Sequence, residues 1–257
     1  MANSTIIATP TSFRKLAPVK PASTKLLTFT PSSTSGLATN GGASGFLVVH
    51  ADAELLILDK PAGLLSVPGR GADKQDCLST RVQAFYPDAL VVHRLDMATS
   101  GLMLMARSVG IQRALGALFE RREVHKRYVA VVNGLPPAAQ SPDGWSLIDL
   151  PIMVDWPRRP LRIIDAKLGK ASQTRWRMLA HDSTAQTTRL ELKPLTGRSH
   201  QLRVHLQALG HPILGDRLYA PEAVCAMAER LLLHACALAF THPVSGEATR
   251  FESAAPF

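Results

Sequence analysis

The segment VVHRLDMATSGLMLMA, residues 91–106, constrains the fold more than any other part of the 257-residue chain. An apolar pair runs into an HRLD tetrapeptide that ends at Asp96, a short polar turn follows, and a second apolar run begins at Leu102. Two apolar runs separated by turn residues predict two buried strands joined by a loop. A carboxylate on such a loop is held in a fixed position at the edge of a sheet, where a ligand can reach it.

The other elements that the sequence predicts do not alternate regularly between strand and helix. Apolar runs predict strands at residues 46–50, 55–58, 128–132, 172–179 and 187–192. Apolar residues at helical spacing predict helices after Ser108, a candidate N-cap, and at residues 198–209 and 224–232. We therefore expect an α+β fold, with a mixed, mainly antiparallel sheet and flanking helices and loops, rather than a doubly wound one.

Hydropathy and cysteine usage narrow the class of protein. No apolar stretch approaches the ~20 residues of a membrane span, so no membrane contact is expected. The three cysteines, Cys77, Cys225 and Cys236, form no CxxC pair, which argues against a disulfide framework and a cysteine-based zinc site. A reducing, cytoplasmic setting fits this pattern best.

The balance of charge points to a polyanionic partner. The chain has 29 Lys and Arg against 20 Asp and Glu, a formal net charge of +9. Phosphate binding releases counterions, so this excess favours nucleic acid over a membrane surface, with a merely basic soluble protein as the alternative. Clustering favours nucleic acid, since basic residues group at Arg121, Arg122, Lys126 and Arg127 and again at Arg158, Arg159 and Arg162.

Residues 1–45 differ in composition from the rest of the chain. They are rich in Ser, Thr and Pro, and the first acidic residue of the chain is Asp52. Because the segment has no strand or helix periodicity, we expect a disordered extension, followed by one folded domain at residues 46–257. A transit peptide, which would make the protein organellar, and a cationic RNA-contacting arm are the alternatives.

Of three single residues that stand out, two have ordinary structural explanations when each is taken alone. Asp96 resembles a turn former, and Tyr128 opens a strand in which a tyrosine usually packs with its hydroxyl bonded. Arg198 stands at a predicted helix start, where a cation is unfavourable for the helix dipole, so another partner is needed to explain it.

Three histidines, His200, His205 and His211, raise the question of a metal site. The i, i+5 spacing of the first two does not place them on one helical face, and the chain has no HExxH motif. We expect structural or RNA-facing histidines and no metal.

Together these segments resemble one known family. HRLDMATSGL, the Lys126-Arg127-Tyr128 tripeptide and TGRSHQLRVHLQALGHPILGDRLY are similar to the three signature blocks of the RluA-type pseudouridine synthases. The resemblance runs from about residue 48 to 257, and KPAGLLSVPGRG and DWPRRP are similar to the RluA subgroup itself. It implies the catalytic fold of that family, without the S4 RNA-binding domain that longer relatives carry.

The resemblance implies a function and a set of roles. Such enzymes isomerise uridine to pseudouridine in RNA, with no cofactor and no metal. Asp96 matches the catalytic aspartate, Arg198 the arginine that pairs with it, and Tyr128 the tyrosine that stacks on the uracil and is a candidate for moving the C5 proton. Leu202 would form an apolar wall of the pocket, although core packing explains it equally well.

The resemblance also implies how RNA is bound. Arg94, with His93 beside it, would fill the space that an extruded uridine leaves, while Arg158 and Arg159 would contact the RNA backbone. The expected targets are uridines at position 32 of the tRNA anticodon stem-loop and position 746 of 23S rRNA, bound by a monomer. A non-catalytic RNA-binding or ribosome-assembly protein with the same fold, and an RNA glycosidase that releases uracil, are the alternatives.

Overall fold

The computed structural model describes residues 45–139 and 141–257, so the predicted extension at residues 1–45 lies outside the described residues except for Gly45. Within this part the chain forms twelve strands: β1 (Leu47–Ala51), β2 (Leu55–Lys60), β3 (Leu90–Val91), β4 (Ser100–Ala106), β5 (His125–Asn133), β6 (Ser146–Asp149), β7 (Ile152–Val154), β8 (Arg162–Ile164), β9 (Gln173–Asp182), β10 (Thr187–Pro194), β11 (Leu233–Thr241) and β12 (Ala248–Glu252). The α-helices of the same residues are α1 (Leu78–Gln83), α2 (Val109–Glu120), α3 (Gln201–Ala208) and α4 (Glu222–Cys225).

Ten of these strands form one sheet. Its main order is β1-β2-β4-β11-β5-β10-β9-β6, while β3 pairs with β4 and β12 pairs with β11. The pairs are antiparallel except for β4 and β11, which run parallel, and β7 and β8 form a separate two-stranded sheet. The expectation of a mixed, mainly antiparallel sheet is therefore confirmed.

Strand β4 explains why residues 102–106 form a continuous apolar run. All seven of its residues are buried. Met103 and Met105 pack into a cluster on one face of the sheet, whereas Leu102, Leu104 and Ala106 pack into a cluster on the other face. Because both faces are covered, the strand has no polar side.

The parallel contact between β4 and β11 depends on Gly101. Its φ is +110°, and a Cβ added there would lie 2.4 Å from the carbonyl oxygen of Ala235. Only glycine fits both requirements, so this residue allows the two central strands to approach each other.

The strands predicted at residues 46–50, 55–58, 172–179 and 187–192 form two hairpins, since β1 pairs with β2 and β9 with β10 in antiparallel register. The helix after Ser108 is also confirmed: it spans α2, and the Ser108 hydroxyl oxygen accepts the backbone N–H of Ile111 at 3.2 Å. No helix in the described residues has the length and apolar character to cross a lipid bilayer.

The two later helix predictions need correction. Helix α3 begins at Gln201 rather than at residue 198, because His200 has a left-handed backbone (φ 58°) that interrupts the helical path. The helix expected at residues 224–232 is wrong beyond its first residues, since α4 ends at Cys225. The backbone N–H of Leu232 instead donates to the carbonyl of Leu214, and this extended segment leads into β11.

Candidate active site

One pocket, with a volume of about 230 Å³, brings together most of the residues predicted from the sequence. It is formed where the loop between β3 and β4, strand β5 and the start of α3 meet. The predicted residues that line it are His93, Arg94, Asp96, Tyr128, Arg198 and Leu202. Three distant segments of the chain therefore meet at one site, as the resemblance implied.

The loop that carries Asp96 is held by buried polar groups. Lys60 is fully buried, and its ammonium group donates to the carbonyls of Pro61 (2.8 Å), Leu64 (2.8 Å) and Met97 (3.1 Å). The hydroxyl of Ser66 donates to the carbonyl of Leu95 at 2.7 Å and accepts its N–H at 3.1 Å. These bonds fix the backbone on both sides of Asp96.

Burial of Lys60 has an electrostatic cost. Desolvation lowers the pKa of its ammonium group to about 8, with Arg230 adding to this effect and the carboxylates of Asp96 and Asp59 opposing it. The three carbonyl acceptors compensate for the lost water, so the lysine links the loop at residues 61–64 to the Asp96 loop.

Asp96 has two cationic or hydrogen-donating neighbours, both from α3 or the residue before it. Nη1 of Arg203 lies 3.8 Å from its Oδ2, and Nε2 of His200 lies 4.0 Å from its Oδ1. The side chain of Asp96 is 26% exposed, so solvent and substrate can reach it. The carboxylate is thus flanked on both oxygens yet open to the pocket.

The expected ion pair between Asp96 and Arg198 is not what the structure shows, because Arg203 takes that place. Arg198 is exposed at the pocket rim, and its backbone N–H donates to Oε1 of Gln201 at 3.0 Å. The left-handed His200 separates it from α3, whereas Arg203 lies in the first turn of the helix. Whether Arg198 takes part in the reaction stays a prediction.

Arg203 is itself fixed by a buried partner. Its Nε and Nη2 donate to the two carboxylate oxygens of Asp216 at 2.8 and 2.5 Å, and both residues are buried. Such a bidentate pair sets the orientation of the guanidinium plane. A cation in the first helical turn is unfavourable for the dipole, and the two aspartates offset this cost.

The sequence pattern could have identified Arg203. It lies in α3 between the buried residues Leu202 and Val204, and a charged side chain within a buried helical run requires an ionic partner. Asp216, in the GDRLY segment, is that partner. The sequence placed Arg198 at the unfavourable position near the helix start, but in the structure it is Arg203 that occupies this position.

Tyr128 lies on β5, between its register partners Leu192 of β10 and Ala235 of β11. Burial raises the pKa of its phenol, and the negative charge of Asp96 raises it further, so the hydroxyl keeps its proton at any physiological pH. A protonated, half-buried tyrosine beside a carboxylate offers a ring face for stacking and a hydroxyl for proton transfer.

The His93 ring is neutral and faces the pocket, and one of its two ring nitrogens already has a hydrogen-bond partner. Its Nε2 accepts the backbone N–H of Leu104 at 2.9 Å, which fixes the proton on Nδ1. Burial, with a smaller effect from the charge of Lys126, lowers the pKa of His93 to about 3. Its ring packs on that of Phe119, with 4.7 Å between the ring centroids, so only its Nδ1 side is left for contact with a ligand.

Leu202 lines the pocket and is also part of the buried core, so its position fits both of its expected roles. Arg94 is exposed at the rim and lies 3.4 Å from the hydroxyl of Ser199. Arg158 and Arg159 do not line this pocket: they lie between β7 and β8, where Arg158 pairs with Asp155 at 2.7 Å and Arg159 stacks on the Trp156 ring.

The pocket continues into a second hollow that is rich in cations. Its lining includes Lys126 and Arg198, which it shares with the first pocket, and also Arg122, His125 and Lys193. Desolvation lowers the pKa of Lys126, which is partly buried between the two hollows. A cation-lined path that leads from an exposed surface to a carboxylate suits a polyanionic substrate.

The described residues contain one group that could hold a metal ion, formed by Asp52, Glu54 and His242 at the β1–β2 turn. In this group Nδ1 of His242 accepts the N–H groups of Val244 and Ser245, so Nε2 carries the proton and faces Asp52 at 3.4 Å. A protonated nitrogen directed at the cluster does not fit a metal ligand. The prediction of no metal stays a prediction.

The three histidines that raised the question of a metal site each have hydrogen-bond partners instead. His200 is 2.6 Å from the hydroxyl of Tyr219, and Nδ1 of His211 is 2.8 Å from the carbonyl of Asn133. His205 contacts both the Thr174 hydroxyl and the Leu150 carbonyl at 2.9 Å. The expectation of a structural role is confirmed for His205 and His211.

The fold and the site together define a class of protein. It has a mixed sheet and holds one carboxylate beside a tyrosine in a cation-lined pocket. Comparison with known proteins makes this class specific. Residues 54–208, more than half of the chain, match the family model described as RNA pseudouridylate synthase. The chain belongs to the RNA pseudouridylate synthase family, whose members are isomerases that act on RNA.

Individual relatives agree with this assignment. The "Dual-specificity RNA pseudouridine synthase RluA" of Escherichia coli (strain K12) is 47% identical over 211 residues, which cover 82% of this chain and 94% of the relative. The protein of the same name from Yersinia pestis is 46% identical and is covered completely. The structure of "Human RNA Pseudouridylate Synthase Domain Containing 1" superposes with a TM-score of 0.68 at 27% identity, covering 85% of this chain and 87% of that chain.

Proposed function

We propose that Asp96 is the carboxylate that carries out uridine isomerisation in this pocket. The reaction breaks the bond between C1′ and N1, turns the uracil and joins C1′ to C5, whose proton is then lost. It needs a carboxylate beside the sugar and base, as nucleophile or as base and electrostatic stabiliser. The observation that supports Asp96 is its place in the pocket, flanked by Arg203 and His200 yet 26% exposed.

Tyr128 and Arg203 complete the proposed reaction centre. Arg203 offsets the cost of burying the carboxylate, the role that the sequence assigned to Arg198. Tyr128 stacks on the uracil and, because its phenol stays protonated, takes up the C5 proton only as it passes its own hydroxyl proton to the neighbouring carboxylate of Asp96. Arg198 stays a predicted site residue, at the rim where an RNA phosphate would pass.

Substrate entry requires that the uridine leaves its stack. Extrusion of a loop base costs a few kcal/mol. Arg94, exposed beside Asp96, is the proposed occupant of the vacated space, and His93 and Leu202 form the pocket wall behind it. Arg158 and Arg159 are the proposed contacts to the RNA backbone, which position the substrate without reading its sequence.

We further propose dual specificity, for a uridine in the tRNA anticodon stem-loop and one in a hairpin of 23S rRNA. The relatives that are 46–47% identical over nearly their whole length carry the name of dual-specificity synthases, which supports this extension. We also propose that the protein acts as a monomer in the cytoplasm. A size measurement and a fluorescent fusion with and without residues 1–45 test these two points.

The proposal for Asp96 is tested by mapping pseudouridine in tRNA and rRNA from cells that lack the protein. Wild type and the control variant Asp73→Asn, at an exposed aspartate outside the pocket, should restore both modifications. Asp96→Asn should restore neither, because an amide can act neither as nucleophile nor as base. Equal restoration by Asp96→Asn would refute the mechanism, and free uracil from purified substrate would indicate a glycosidase.

A further inference from the structure

His200 occupies a backbone conformation that histidine rarely adopts. Its φ of 58° and ψ of 14° are left-handed, and its side chain makes no hydrogen bond that would cap α3. A strained residue at a helix start that does not cap the helix needs another explanation. The contacts of its two ring nitrogens supply one.

Tyr219 determines which nitrogen of His200 carries the proton. The Tyr219 hydroxyl oxygen accepts the backbone N–H of Arg162 at 2.9 Å, and it lies 2.6 Å from Nδ1 of His200. Burial lowers the pKa of His200, and although Asp96 opposes this effect, the charges of Arg203 and Arg162 support it, so the ring is neutral near pH 7. The phenol therefore donates its single hydrogen to Nδ1, and Nε2 carries the proton of His200.

The protonated Nε2 faces the carboxylate of Asp96. It lies 4.0 Å from Oδ1, while Arg203 approaches Oδ2 at 3.8 Å. Both distances are too long for a hydrogen bond, and a small shift would close either. Asp216 anchors Arg203 directly and His200 through Tyr219, since it binds the Arg203 guanidinium and accepts the backbone N–H of Tyr219.

We propose that His200 is a positioning residue, which donates its Nε2–H to Oδ1 of Asp96 when a uridine fills the pocket. Tyr219, oriented by the backbone of Arg162, keeps His200 in the required tautomer. One oxygen of the carboxylate is thereby held by His200 and the other is oriented by Arg203. The inference rests on the proposed role of Asp96.

Two substitutions of His200 in the full chain separate positioning from plain structure. In His200→Gln the amide nitrogen replaces Nε2 and can still donate to Asp96. In His200→Asn the shorter amide replaces Nδ1, so it can contact Tyr219 but cannot reach Asp96. Asparagine tolerates the left-handed backbone better than most residues, so backbone strain cannot explain a worse result for His200→Asn.

The readout is the single-turnover rate and the Kd for an anticodon stem-loop RNA that the wild-type chain converts. We expect His200→Asn to lower the rate about 100-fold and His200→Gln less than about 10-fold, with Kd within about threefold in both, because only the transition state needs the oriented carboxylate. Equal rates for the two variants, or a loss in Kd alone, would overturn the role of His200.

Tyr219→Phe provides an independent test if His200→Asn folds poorly. This substitution removes the hydroxyl that keeps the proton of His200 on Nε2. It should therefore lower the rate in the wild-type background but have little further effect in the His200→Gln background. Additive effects would contradict the proposal. The activity of Asp96→Asn shows which proposal a negative result contradicts. If this variant stays active, the proposed role of Asp96 is wrong. If it is inactive, a negative result contradicts only the inference about His200.

Discussion

At the scale of single residues, the site depends on side chains whose hydrogen-bond partners fix their protonation. His93 accepts a backbone N–H and His200 accepts a phenol hydrogen, so each keeps its proton on one defined nitrogen. Neutral histidines of this kind make the folded state sensitive to acid, since protonation would break the bond that each accepts.

His93 leads to a prediction about acid stability. Its folded pKa of about 3 lies below the ordinary 6.5, so its contribution is fully present above pH 6.5 and is lost as the pH falls toward 3. His93→Gln cannot be protonated, and its amide oxygen can still accept the Leu104 N–H. Between pH 7.5 and pH 5, urea unfolding should show that wild type loses about 2 kcal/mol more than His93→Gln. Identical pH dependence would show that the pKa of His93 is not lowered in the folded chain.

At the scale of elements, the sequence predicted strands better than helix ends. Strands β2, β4 and β5 were predictable because runs of apolar residues separated by turns have few other structures open to them. The start of α3 was not predictable, because the left-handed backbone of His200 interrupts a helical path that the residue pattern continues back to residue 198. The periodicity of apolar residues predicts which residues are buried, but it does not predict where a single residue leaves the helical conformation.

The same limit explains which site residues were found. Asp96 and Tyr128 were predicted because each belongs to a recognisable segment, and the structure places both in one pocket. The resemblance assigned the ionic partner of Asp96 to Arg198, whereas the structure places Arg203, five residues later, 3.8 Å from its carboxylate. Only the direction of α3 relative to the Asp96 loop distinguishes them.

Substitution of Gly101 tests the close contact between β4 and β11. Gly101→Ala should lower the unfolding free energy by about 3 kcal/mol or more, because its Cβ would meet the Ala235 carbonyl at 2.4 Å and its φ is positive. Gly116→Ala is the matched control: it lies in α2 with no atom within 4 Å of the added Cβ, and it should stabilise by about 0.5–1 kcal/mol. Chemical denaturation measures both, and similar values would mean that the strand contact is less tight than described.

At the scale of the whole molecule, charge and fold act together. The net charge of +9 attracts RNA over a distance, while the cation-lined hollows give the backbone a defined path to Asp96. Composition alone predicted a polyanionic partner, but it could not predict where the substrate enters. That information required the sheet that brings residues 93–96, 126–128 and 198–203 together.

Salt dependence tests the proposed contribution of Arg158 and Arg159. The double variant Arg158→Ala/Arg159→Ala should bind RNA more weakly and lower the slope of log K against log salt by about 1–2, since each phosphate contact contributes roughly 0.7–0.9. Arg113→Ala, at an exposed position on α2, is the control and should leave the slope unchanged. An unchanged slope in the double variant would remove this loop from the RNA interface.

The buried Lys60 has a consequence for how targets are chosen. One ammonium group ties the loop at residues 61–64 to the loop that carries Asp96, and the strand that follows is enclosed on both faces. A carboxylate that is fixed in this way does not move toward its substrate, so the RNA has to change its conformation to reach it. We therefore expect RNA loops that distort readily to be modified in preference to stiff loops of the same sequence, because they present their uridine at a smaller free-energy cost.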